Sequence, residues 1–108
     1  MKLGIILQSN EPEHVWNALR LAITAQKAKH AVKMFLLSEG VKLERIPDAG
    51  HFDISVKVKQ FIDVGGQILA CGSCLENRSQ SGGAACSVST MADLLRIVEE
   101  SDKVLVFG

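Results

Sequence analysis

The 108-residue chain has no tyrosine, one tryptophan, two prolines and no net charge, since twelve basic side chains balance twelve acidic ones. With so few aromatics the core must come from Val, Ile, Leu and Ala, and an apolar content of 47% is enough to build one. Neutrality argues against a nucleic-acid or anionic-membrane surface as the main partner. It also leaves little self-repulsion to oppose self-association. No apolar run approaches the roughly 20 residues that a membrane-spanning helix needs. The start, Met1-Lys2-Leu3-Gly4-Ile5-Ile6-Leu7, lacks the long apolar stretch and small-residue cleavage site of a signal peptide and reads better as a first strand. A cytoplasmic location is therefore expected, with neither membrane nor nucleic acid as partner. Three cysteines in a reducing compartment do not suggest a structural disulfide framework.

What is present is a regular alternation. Residues 2–7 form an apolar, β-leaning run. Asn10-Glu11-Pro12-Glu13 has the composition of a helix start, with Asn10 as cap, and Val15, Trp16, Leu19, Ala22 and Ile23 recur at helical spacing over 12–29. Residues 32–37 predict a second strand and 38–50 mostly loop. Residues 54–64 are ambiguous by periodicity, but their length and the closing Gly65-Gly66 favour a helix. Then come a strand at 67–70, a short helix at 73–79, a small, polar loop at 80–85 and a short strand at 86–89. Thr90-Met91-Ala92-Asp93 resembles a capping box ahead of a helix at 91–100, and 103–107 is the last strand. This βαβαβαβαβ order, with near-continuously apolar strands, predicts one α/β domain over 1–108. Its sheet is parallel and covered by helices on both faces, a three-layer sandwich. Sites in such sheets form at the carboxyl ends of strands, where Gln8, Ser38, Cys71 and Ser89 or Thr90 fall.

Cys71-Gly72-Ser73-Cys74 is the most informative stretch. It leaves a strand and enters a helix, whose N-terminal N–H groups and roughly half a positive charge favour thiolate over thiol. The N–H groups of Ser73, Cys74 and Leu75 are expected to converge on the Cys71 sulfur. Arg78, seven residues after Cys71 and four after Cys74, is expected on the same helical face, where it would hold an anionic sulfur. Packing is the competing account, because free cysteine is among the most buried residue types. Cys74 completes a CxxC, the spacing used in thiol–disulfide exchange. Cys86 is a core or interface residue, or a resolving thiol if its loop folds back. Cys71, Cys74 and Cys86 give three of the four ligands of a structural zinc site, and no His lies close in sequence to complete it, so no metal is expected. Gly82-Gly83 is not followed by the Lys-Ser/Thr of a phosphate loop, and no Gly-rich fingerprint follows the first strand.

Several segments together resemble the DsrE/DsrF-like family: Phe35-Leu36-Leu37-Ser38-Glu39-Gly40-Val41, Ala70-Cys71-Gly72-Ser73-Cys74-Leu75-Glu76-Asn77-Arg78, Ser89-Thr90-Met91-Ala92-Asp93-Leu94 and Asp102-Lys103-Val104-Leu105-Val106-Phe107. The resemblance spans nearly the whole chain, and the order of the pieces is more specific than any one of them. It implies a three-layer α/β/α sandwich on a five-stranded, mainly parallel sheet. It also implies assembly as trimers or hexamers, with the cysteine site near a subunit interface. In the relay members a cysteine ending the third strand carries sulfane sulfur as a persulfide, and Cys71 matches that position. Cys74 has no counterpart in several relay members, although Cys-x-x-Cys-Leu resembles the pattern of stand-alone ones.

The expected function is thus sulfur carriage on Cys71, with Gly72, Ser73 and Arg78 contacting the sulfur substrate and no cofactor. The partners would be sulfur donor and acceptor proteins or small persulfides, together with further copies of the chain. A thiol–disulfide oxidoreductase using Cys71 and Cys74 is the alternative. Against it, the motif lies in the third βα unit, and neither Pro12 nor Pro47 lies downstream to sit beside such a disulfide. An oligomeric binding protein with structural cysteines is a third reading.

Overall fold

The computed structural model describes residues 1–48 and 50–108. Five strands, β1 (Lys2–Leu7), β2 (Ala31–Leu36), β3 (Gln67–Cys71), β4 (Ser87–Ser89) and β5 (Lys103–Phe107), alternate with the helices α1 (Pro12–Lys27), α2 (Ile54–Asp63), α3 (Gly72–Asn77) and α4 (Met91–Glu100). All four strand pairings are parallel, and the sheet order is β4-β3-β2-β1-β5. The chain steps outward from β1 to β4 and then returns across the sheet to β5. Right-handed crossovers put the helices of the outward steps on one face and α4 on the other.

The register identifies the faces. A side chain on Gly4 would meet Ile97 of α4 and Val104, so Gly4 faces α4. By alternation and pairing, Ile6, Phe35, Leu69, Cys71 and Ser89 share that face. Leu3, Ile5, Leu7, Met34, Leu36, Ile68 and Ala70 face the opposite way and are buried. With Val15, Leu19, Ala22 and Ile23 of α1 and Val58 and Phe61 of α2 they make the main core. Among the described residues, the other face has only α4, a ten-residue helix, over five strands. The three layers are therefore unequal.

Local chemistry sets the boundaries. Pro12 is the first helical residue of α1, and the cap is Glu11 rather than Asn10: its carboxylate accepts from the His14 N–H at 3.0 Å. α2 closes as its sequence predicts, with Gly65 at φ 101, a conformation that strains any residue with a Cβ. Its cap Asp53 leaves the helix N–H groups alone, because its Oδ1 accepts from Trp16 Nε1 at 3.0 Å. That bond, with Phe52 and His51 edge-on to the indole and the Arg20 guanidinium 4.3 Å from its ring centre, fastens the incoming segment to α1.

The expected loop after β2 is instead a 3-10 helix, Ser38–Arg45. Its buried residues Val41 and Leu43 are two apart, a spacing that does not read as a helical stripe. Gly40 lies so close to β1 that a side chain there would run into the Leu7 carbonyl.

Candidate functional site at the end of the third strand

Cys71 is the last residue of β3 and the cap of α3, at φ −63 and ψ 119. It is 2% exposed and pairs across the sheet with Ser89. Its side chain makes no capping hydrogen bond. The expected cradle of N–H groups from Ser73, Cys74 and Leu75 is thus not closed on its sulfur. The side chain follows the alternation of β3 toward the α4 face instead of folding over the first turn of α3.

That direction opens it onto a crevice of about 430 Å³ between the β3–α3 and β4–α4 junctions. Ser73, Glu76, Val88, Ser89 and Met91 line it, with Gly72 and Thr90. A side chain at Gly72 would lie 3.4 Å from the Ser89 carbonyl oxygen and from Val88 Cγ1, so glycine keeps this wall thin. The Thr90 hydroxyl is committed to the capping box of α4, where it accepts from the Asp93 N–H at 3.3 Å while Asp93 Oδ2 accepts from the Thr90 N–H at 3.1 Å. The second bond chiefly holds the Asp93 carboxyl below the usual carboxylate range, against partial desolvation. Another depression of about 430 Å³ lies between the 3-10 helix, α2 and Ala84–Ala85; it is mostly apolar and no thiol lines it.

The remaining sulfurs have different surroundings. Cys74, in the first turn of α3 and half-buried, accepts a hydrogen bond at Sγ from the Ser38 N–H at 3.3 Å. Ser38 follows β2 and has φ 52, a left-handed conformation in a non-glycine residue. Arg78 follows the last residue of α3 as its C-cap, so helical spacing does not carry it back to Cys71. Its Nη1 donates to the Cys74 carbonyl at 3.1 Å, and its Nε lies 3.7 Å from Glu39 Oε2. Lys42 Nζ, 2.7 Å from the same oxygen, is the main reason that the Glu39 carboxyl sits below its ordinary range. Arg78 thus steadies the Cys74 side of α3 and does not line the Cys71 crevice. Cys86 lies beside Glu44 in a separate pocket under the 80s loop. Burial, assisted by the Glu44 charge, pushes its thiol up to about 12. Among the described residues, no three His, Cys, Asp or Glu side chains are grouped as metal ligands. Among the same residues, no helix is long and apolar enough to cross a membrane.

The sequence alone points to Cys71, Gly72, Ser73 and Ser89 or Thr90, all of which line the crevice, but not to Glu76 as one of its walls. The signal was present, because residues 72, 73 and 76 share one face of a helix that begins at 72.

Two curated archaeal proteins are similar over most of their length. The uncharacterized protein MK0008 of Methanopyrus kandleri is 35% identical over 88% of this chain and 83% of its own. The uncharacterized protein MJ0989 of Methanocaldococcus jannaschii is 33% identical over 88% of each. Among solved structures, YchN of E. coli superposes with a TM-score of 0.82 at 23% identity, covering 99% of this chain and all of that one. A conserved protein of unknown function from Bacteroides thetaiotaomicron, BT1422, gives 0.75 at 21% identity over 97% and 93%. Both structures share the fold. The profile of the DsrE/DsrF-like family matches residues 1–107, and the chain belongs to that family, which is generally associated with sulfur relay.

Proposed function

We propose that this protein is a sulfurtransferase-type carrier that holds sulfane sulfur as a persulfide on Cys71. One observation carries the reading: in a DsrE/DsrF-like chain, Cys71 closes β3 and lines an open crevice at the carboxyl edge of the sheet. The Cys71 thiolate attacks the outer sulfur of a donor persulfide, R–S–SH. The new S–S bond forms as the donor's S–S bond breaks, giving Cys71–S–SH and the thiolate R–S⁻. Atoms, charge and electrons balance, so the step calls for neither a metal nor an organic cofactor. Gly72 leaves room for the approach, and the Ser73 hydroxyl at the rim is available to the donor.

The donor is a persulfide-bearing protein or small persulfide and the acceptor a thiol, which takes the outer sulfur and releases the Cys71 thiolate, in a reducing, cytoplasmic setting. Further copies of the chain complete the assembly, as a trimer or hexamer. In support, Met91, Leu95 and Val98 form an exposed apolar stripe on α4, beside Val106, which is 58% exposed on the same face of the sheet. A redox dithiol has less support, because Cys74 accepts a hydrogen bond beside β2 while Cys71 opens toward β4.

Intact-protein mass spectrometry after incubation with a sulfane-sulfur donor tests the carrier. The expected gain is one sulfur atom, lost in Cys71→Ser and retained in Cys74→Ser. Wild-type loading of Cys71→Ser would overturn the assignment. A species lighter by two hydrogens that needs both Cys71 and Cys74 would identify a dithiol instead.

A further inference from the structure

The charge of the Cys71 crevice restricts its donor. Among the described residues, Glu76 is its only acidic or basic lining side chain apart from the thiol, and no Lys, Arg or His lines it. The nearest cation along the helix, Arg78, is turned to the Cys74 carbonyl and Glu39. At the α4 N-terminus on the rim, the capping box engages the Thr90 and Asp93 N–H groups and adds the Asp93 carboxylate, a second negative charge. The rest of the wall is hydroxyl, from Ser73 and Ser89, or apolar, from Val88 and Met91. An anionic donor therefore approaches the thiolate against the Glu76 charge and without a counter-cation. A donor with an ammonium group near its reactive sulfur places that group beside the carboxylate.

We infer that Glu76 is a specificity-determining residue that makes the crevice select sulfur donors bearing a cationic aminoalkyl group over anionic donors. This rests on the reading of Cys71 as the reactive thiol and deepens it. In the step above, R is then an aminoalkyl group, and R–S⁻ leaves with its ammonium still beside Glu76.

Charged methanethiosulfonates test the selectivity without requiring that any persulfide form. The aminoethyl reagent is cationic and the sulfonatoethyl reagent anionic. With either, Cys71–S⁻ displaces methanesulfinate and forms a mixed disulfide, and fragment mass spectra assign the modified thiol. The readout is the cationic-to-anionic rate ratio at Cys71, divided by the same ratio for a small free thiol. A change in thiolate population affects both reagents alike and cancels.

The wild-type ratio is expected to exceed one and to fall as salt is raised. Glu76→Gln is expected to lower it by about fivefold, the scale for one solvent-exposed charge acting on reagents two charge units apart. Glu76→Asp should keep most of the preference. A wild-type ratio of one, a Glu76→Gln ratio equal to wild type, or a Cys71 inert to both reagents would overturn the inference. Because the reagents transfer a thioalkyl group, selectivity can hold where sulfur loading fails, and loading can occur without selectivity; the two failures are distinguishable.

Discussion

At the scale of the residue, three cysteines that look alike in the sequence have three environments. Cys71 ends a strand at a crevice, Cys74 accepts an N–H from Ser38, and Cys86 is half-buried beside a carboxylate. For Cys86 the consequence is a pH dependence. The folded state holds the proton up to about 12, against an ordinary value of 9.0. The unfolded chain loses it first, so the stability tied to this thiol is fully present below 9 and drains away as pH rises from 9 toward 12. Denaturant titrations at stepped alkaline pH should show wild-type stability falling more steeply than that of Cys86→Ala. Parallel slopes would refute the assignment. For the same reason, Cys86 should alkylate more slowly near neutral pH than a free cysteine thiol. Residue types and spacing placed Cys71 at the junction of a strand and a helix, where the structure has it. They placed Arg78 beside Cys71, where it does not lie, because extrapolating a helical face from 71 to 78 assumes a helix that in fact ends at Asn77.

At the scale of the element, the ends of helices carry much of the information. The capping box at α4 was legible in Thr90-Met91-Ala92-Asp93 because both partners lie within one turn and need nothing from the rest of the chain. Thr90→Ala should cost about 1 kcal/mol of unfolding free energy, read as a shift in the denaturation midpoint with unchanged slope. A loss within error of zero would mean that packing of Ile97 alone holds the helix. The cap of α1 was less legible: Asn10 and Glu11 both have the chemistry, and Pro12 decides between them by taking the first helical position. The 3-10 helix after β2 was not legible. It exists because Gly40 fits against the Leu7 carbonyl and because Val41 and Leu43 have a core to enter, and both are contacts with strands distant in sequence. Gly40→Ala should therefore destabilise the protein well beyond the ordinary Gly-to-Ala difference, measurable in the same titration.

At the scale of the whole molecule, the parallel order β4-β3-β2-β1-β5 leaves the two faces unevenly covered. On the α4 face Phe35 is nevertheless fully buried, whereas Leu95 and Val106 are 57% and 58% exposed. The proposed assembly of further copies would bury this face. Sedimentation equilibrium should then give a mass that is a multiple of 11.7 kDa. Leu95→Glu should shift it toward the monomer while leaving the circular dichroism of the fold intact. An oligomer unchanged by this substitution would place the interface elsewhere.

The sequence by itself determined the strand and helix order, the parallel architecture, the composition of the core and the position of Cys71 at a strand end. Each of these depends on local propensity, hydrophobic period and chain connectivity, which are written in neighbouring residues. Only the tertiary structure decided which face Cys71 opens to, that Ser38 supports Cys74, that Arg78 turns to Glu39, and that Glu76 is the ionic side chain lining the crevice among the described residues. Those outcomes depend on sheet register and on where α3 stops, and both are settled by packing between segments far apart in the chain.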